Sequence, residues 1–273
     1  MTNRKTPDKK TVINEVRKPF LTGSPCDERT VKSSLAFFGT MIMVFFIAFI
    51  ACATASFDSF ILRFIMNSAV ILLVFFILFN NGSKRGADDV AKGEILWQKK
   101  EKGQPFSNGE RKMCFHPVKG FLTGLIGSSP FILLALYLAL NTSLQMTEAG
   151  TLPSWMQAYT GRSDIGNALI SYTQPEGMKA IDYIRAIIRI MILPFVNIAG
   201  NSNNSGILLV ERLSPLLLML PAAAYGLGYL SGRKTRTRIH TTISENDRKR
   251  IRRDRKRSAR VSSARSREPE QLN

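Results

Sequence analysis

Three apolar runs with almost no charge, Leu35–Ala55, Phe60–Phe79 and Gly120–Leu140, are each about as long as a bilayer core is thick, and a fourth, Ile207–Leu230, comes close. An α-helix rising about 1.5 Å per residue needs about 20 apolar residues to cross about 30 Å of hydrocarbon. Few water-soluble core helices combine that length with that purity. The chain therefore reads as an all-α, multi-pass helical membrane protein. This pattern fixes the solvent and the architecture but not an activity.

Overall composition hides the pattern, because apolar and charged residues are segregated into blocks. The formal net charge is +18, and the basic residues lie almost wholly outside the apolar runs. Such a charge favours anionic partners, either nucleic acid or acidic lipid headgroups. Cytoplasmic loops collect Lys and Arg in any case, so only the excess needs a further cause. Met1–Ser34 carries eight basic residues, Asn80–Lys119 nine, and the segment from Ser231 onward fifteen against five acids. The turn Ser56–Ser59 has none, and Asn141–Asp182 has two against four acids. The positive-inside rule places the three basic segments in the cytoplasm of a protein in the cell membrane.

An odd number of crossings must then separate the outer loop from the basic tail. Two segments compete for that role, Tyr183–Ala199 and Ile207–Leu230. The first carries Arg185 and Arg189, which with Asp182 fall on one helical face at i, i+3 and i+7. Two arginines near mid-membrane cost about 2.5–3.5 kcal/mol each on insertion scales. An amphipathic helix of this kind is expected to be interfacial or re-entrant, with its charges toward water, and Pro194 is expected to break it. The expectation is four spans. The rival is five, with both arginines facing a polar bundle interior.

The chain divides accordingly. Residues 1–34 read as a flexible cytoplasmic arm and 35–79 as a transmembrane hairpin. Residues 80–119 read as a cytoplasmic loop, opening on a turn-rich Asn-Asn-Gly-Ser-Lys-Arg-Gly stretch with a short helix expected over Ala87–Lys102. Trp97 beside lysines suits contact with headgroups or packing on the bundle. A third span covers 120–140. Residues 141–206 form an extracytoplasmic loop with the amphipathic helix near 183–199, and short helices are expected around Ser154–Thr160 and Ile165–Tyr172. The last span is 207–230, and 231–273 is a basic tail. In that tail Arg248, Lys249, Arg250, Arg252, Arg253, Arg255, Lys256, Arg257 and Arg260 crowd thirteen positions. Like-charge blocks of this kind are usually a disordered region on their own.

Arg63 is the one charge in the second run, with Asn67 one turn away. As the fourth residue of its span Arg63 can snorkel outward, with Asp58, Glu148 or Asp182 as partners. Gly120 and Gly124 form a G-x-x-x-G pair, and Ala222/Gly226 and Ala224/Gly228 repeat the spacing in the last run. Small residues let helix backbones approach, either within the chain or across a homodimer. Pro130, Pro215 and Pro221 are expected to kink their helices.

Neither a catalytic constellation nor a phosphate-binding loop is present. Cys26, Cys52 and Cys114 do not form a disulfide framework. Cys114 lies near His116 but lacks a second pair to complete a zinc site, so neither metal nor cofactor is expected. Ala53-Thr54-Ala55 has the look of a cleavage site, yet the first run is too long and starts too late for a signal peptide. The expectation is a non-enzymatic adaptor or accessory subunit, working with other membrane subunits, whose tail contacts anionic lipid or RNA. A small oligomeric channel or transporter component is the alternative, with Arg63, Arg185 and Arg189 lining a polar path.

Overall fold

The computed structural model describes residues 17–54, 59–142, 152–166, 168–169, 180–200 and 203–265. Helix α1 spans Glu28–Thr54, α2 Phe60–Glu101, α3 Asn108–Lys112 and α4 Lys119–Asn141. Then come α5 (Ser154–Gln157), α6 (Ala180–Met191), α7 (Leu193–Ala199) and α8 (Asn204–Arg265). Among the described residues the regular structure is entirely helical, and α1, α2, α4 and α8 are long and apolar enough to cross a membrane. The protein is thus a helical membrane protein with four candidate spans.

Side-chain contacts orient the four long helices. Asp27 receives Lys119 Nζ at 2.9 Å, and Arg85 donates to Ser33. The start of α1, the start of α4 and the latter half of α2 therefore meet at one end, here termed the basic end. At the far end Asn197 Nδ2 reaches both the Cys52 carbonyl and Asn67 Oδ1, and Thr142 Oγ1 donates to Glu211. Helices α1 and α4 thus run from the basic end to the far end, while α2 and α8 run back. The main core lies between the ends and includes Phe37, Met41, Leu78, Leu138, Ile188, Ile192 and Tyr225.

Four local expectations are corrected. The stretch Asn80–Gly86 is no turn: α2 runs through it without a break for 42 residues. Each interior glycine costs about 1 kcal/mol in a lone helix, but here the glycines admit a neighbour. A Cβ on Gly82 would fall 2.1 Å from the Tyr225 carbonyl oxygen, and one on Gly86 2.2 Å from that of Tyr229. Close backbone approach, the effect exploited by small residues in membrane helices, overrides the local turn preference.

The N-terminal arm is not free as far as Ser34. Asp27 caps α1 through Thr30, accepting its backbone N–H at 2.6 Å. The preceding residues form a strap whose backbone N–H groups at Leu21 and Gly23 donate to the carbonyls of Gly93 and Phe115. The described part of the tail is helical as far as Arg265 rather than coil. An already nucleated helix extends at low cost, and Arg and Lys are good helix formers. The fourth correction, the side to which Arg185 and Arg189 turn, belongs with the site below.

A break falls in the 183–199 segment, at Ile192, with Pro194 in the first turn of α7. Ile192 sits among Phe45, Val74 and Leu217, residues from inside the apolar runs of the long helices. Within residues 141–206, α5 falls in the expected first helix. Residues 55–58, Asp58 included, much of 143–179 with Glu148 and Tyr172, and everything before Arg17 lie outside the described residues.

Candidate functional site

Three arrangements carry most of the polar chemistry. The first is at the far end. Glu211 lies in the second turn of α8 and is 2% exposed. It accepts from Arg189 Nε at 2.6 Å and from Thr142, and Arg185 Nε lies 3.5 Å away. Asp182 in turn holds Arg185 Nη1 at 3.2 Å. Arg185 and Arg189 on α6 therefore both turn toward Glu211 of α8. Arg185 is buried, so the expectation of charges facing solvent fails for it, while Arg189 and Asp182 stay partly exposed. A carboxylate already inside the bundle offsets the desolvation that made solvent the cheaper place.

Arg63 and Asn67 belong to the same end but to a separate group. Asn67 Nδ2 donates to the Arg63 carbonyl, and Asn197 donates to Asn67. The Arg63 guanidinium lies against Gly200, whose φ of +88° and lack of a side chain leave room for it. Arg63 Nε is buried without a hydrogen-bond partner. Of the acids expected to pair with it, Asp182 pairs with Arg185.

The second arrangement is the stalk where α2 and α8 continue together past their apolar parts. Glycines make the crossing: Gly228 meets the Phe79 carbonyl and Gly232 meets Gly86. Beyond it, Ser83 and Thr235 hydroxyls pair at 2.9 Å. Buried Glu94 accepts from Arg236 Nε at 3.0 Å and lies 2.8 Å from His240 Nε2. Buried Asp89 accepts from the Tyr229 hydroxyl at 2.9 Å. Burial raises the Asp27 carboxyl, but hydrogen bonds from Thr30 and Lys119 and the Lys119 charge outweigh it and hold it below its ordinary value. Burial also raises the Cys114 thiol, whose Sγ lies against the Glu110 carbonyl. Among the described residues no three His, Cys, Asp or Glu side chains are grouped as a metal would require.

The third arrangement is the basic arm. Arg248, Lys249, Arg250, Arg252, Arg253, Arg255, Lys256 and Arg257 all sit on α8 with exposed side chains, and Arg260 is helical. Arg250 and Asp254 at i, i+4 relieve some of the like-charge repulsion.

Small residues singled out in the sequence are occupied within the chain. Gly124 faces Ala222, Gly120 faces the Tyr229 ring, and Gly226 faces the Phe121 ring. Ala224 is fully buried, and Gly228 packs on α2 rather than on α4. Sequence reasoning missed Glu94, Asp89, Tyr229, Gly82, Gly86 and Gly232. Their signal was the continuing helical spacing of Leu78, Gly82, Gly86, Val90 and Gly93, carried by small residues instead of large apolar ones. No protein-family model matches the chain, and no curated protein or solved structure is similar to it.

Proposed function

We propose that this chain is a non-enzymatic adaptor of the cell membrane, with four spans, a cytoplasmic basic end, and a stiff basic arm that grips RNA through its phosphates. The observation that carries this reading is the unbroken course of α8 from its apolar part to Arg265. Leu230 ends the apolar part, and Arg248 opens the basic block eighteen residues later. At the helical rise, that lifts the block roughly 27 Å above the hydrocarbon, and roughly 20 Å at a tilt of about 40°. The field of charged headgroups falls off within a Debye length, about 8 Å. A stalk-held arm is therefore beyond the reach of its own leaflet, and its polyanion comes from the aqueous side.

RNA fits the side chains on offer. The chain from Arg233 onward has no aromatic residue for base stacking, so contacts fall on phosphate. The orientation rests on the excess of Lys and Arg at the basic end. The position of the Ile192 break among residues of the apolar runs supports reading α6 and α7 as a re-entrant pair entering from the outer face. The channel reading draws less support, because Arg185 and Arg189 are bound to Glu211 and Asp182 and line no open path. Homodimerisation loses its motif, since Gly120, Gly124, Ala222, Gly226 and Gly228 are filled from within.

Full-length protein in nanodiscs of zwitterionic lipid, titrated with labelled single-stranded RNA at 50 and 200 mM salt, tests the reading. Six to ten phosphate contacts on a single strand predict a loss of about 3 × 10² to 2 × 10⁴ in affinity across that range. A stop after Asn246 is expected to abolish binding. Undiminished binding by that truncation overturns the proposal.

A further inference from the structure

The segment of α8 between the apolar part and the basic block has a role of its own. Arg233, Lys234 and Arg238, together with Arg17 of the strap, surround a groove of about 850 Å³ that Thr242 and Glu245 complete. Its cations differ from their neighbour Arg236, which turns to α2 and is neutralised by Glu94. Among the described residues Lys234 and Arg238 make no ion pair, and Arg233 stacks over the Phe20 ring at 5.5 Å. Thr237 and Thr241 donate to carbonyls of their own helix, so the groove's donors toward a ligand are its cations and Thr242. Among the described residues, three cations of α8, Arg233, Lys234 and Arg238, border one cleft with Arg17 at its side and a single carboxylate, Glu245, at its upper end. Low-dielectric walls concentrate such a field and attract an anion.

Depth identifies the anion. Arg233 lies three residues past Leu230 and Arg238 eight, which puts them roughly 5 and 12 Å above the end of the hydrocarbon. The headgroup layer on each side is about 5–8 Å thick. The mouth of the groove therefore opens at the level of lipid phosphates, while its upper part stands in water. Zwitterionic headgroups would bring an ammonium against Lys234 and Arg238, whereas an anionic glycerol headgroup brings none. We propose that this groove holds the phosphate and headgroup of an anionic phospholipid from the leaflet at the basic end. The site is separate from the arm: the lipid is gripped below, beside the stalk, and the distal block remains free for its own partner.

Native mass spectrometry of the full-length protein in detergent, titrated with phosphatidylglycerol or phosphatidylcholine, tests this. Phosphatidylglycerol is expected to be retained in preference to phosphatidylcholine. The double variant Arg233→Gln/Arg238→Gln is expected to lose roughly tenfold or more of that retention, at about 1 kcal/mol per basic residue near an anionic leaflet. Lys234→Gln, which removes an ammonium with no partner in the fold, is expected to lose severalfold without a change in thermal stability. The distal pair Arg252→Gln/Arg255→Gln is expected to bind lipid as the parent does. Equal retention of both lipids, or equal loss in the distal pair, overturns the proposal. Displacement of the lipid by millimolar inorganic phosphate would mark a soluble-anion site instead. Displacement by an RNA oligonucleotide would mark the groove as part of the arm, and either result also overturns it.

Discussion

Glu211 and Glu94 hold similar partners in different surroundings. Each is a buried carboxylate, and each faces two basic side chains from a neighbouring helix. Glu211 answers to Arg185 and Arg189, which cannot lose their charge. Glu94 answers to one arginine, Arg236, and to the imidazole of His240. One cluster therefore holds two permanent cations and the other holds one. The difference lies in what each cluster is left with when its carboxylate is lost.

Substituting Glu211→Gln breaks the comparison hardest. It leaves the buried Arg185 and the partly exposed Arg189 without their shared carboxylate, a class of change that costs about 3–5 kcal/mol. A fall in the melting temperature of roughly 10 °C in detergent is expected, together with poor recovery of monodisperse protein. A shift of only a degree or two would mean that α6 simply swings its arginines to water.

Gly86→Val should part the stalk while sparing the far end. Its Cβ has only 2.2 Å to the Tyr229 carbonyl oxygen, so α2 and α8 must separate. Overpacking of this kind costs about 1–3 kcal/mol. Disulfide trapping between cysteines placed at Ser83 and Thr235 is expected to fail in that variant. A trap forming at the parental rate would refute the close crossing.

A smaller effect is expected from Glu94→Gln, about 1–2 kcal/mol, because it leaves one arginine, Arg236, without its carboxylate instead of two. If its melting temperature drops as far as that of the Glu211 variant, the contrast between the two clusters is lost.

Acid sharpens the same contrast. Asp27 is held below its ordinary value of 3.8 in the folded protein. A depressed carboxyl contributes stability that is present above the unfolded value and is lost as pH falls through the folded one. Thermal scans between pH 6 and pH 2.5 should therefore show a loss of stability below about pH 4 that Asp27→Asn partly removes. An identical slope in that variant would assign acid sensitivity elsewhere. Gly39→Ala is the smallest test: a Cβ there meets nothing within 4 Å, so a gain of up to about 1 kcal/mol is expected.

Much of the fold was legible because lipid enforces a simple rule. Runs of about twenty apolar residues must be helices in a bilayer, and Leu35–Thr54, the described part of the first run, Phe60–Phe79 and Gly120–Leu140 each fall inside a single helix. The stalk was illegible for the opposite reason. Its contact face is built from Gly82, Gly86, Gly228 and Gly232, residues that signal turns unless the helix they meet is known. Likewise Arg185 and Arg189 looked destined for water, because their counterion sits 26 and 22 positions away on another helix.

By itself the sequence determined the four long apolar helices and the blocks of charge between them, because hydrocarbon thickness and backbone pairing act on each segment separately. Only the tertiary structure decided where α2 ends, which way the arginines of α6 turn, and that α8 carries its basic residues outward on one rigid helix. Those outcomes depend on close approach between distant segments, and the free energy of a paired charge or a glycine contact exists only once both partners are in place.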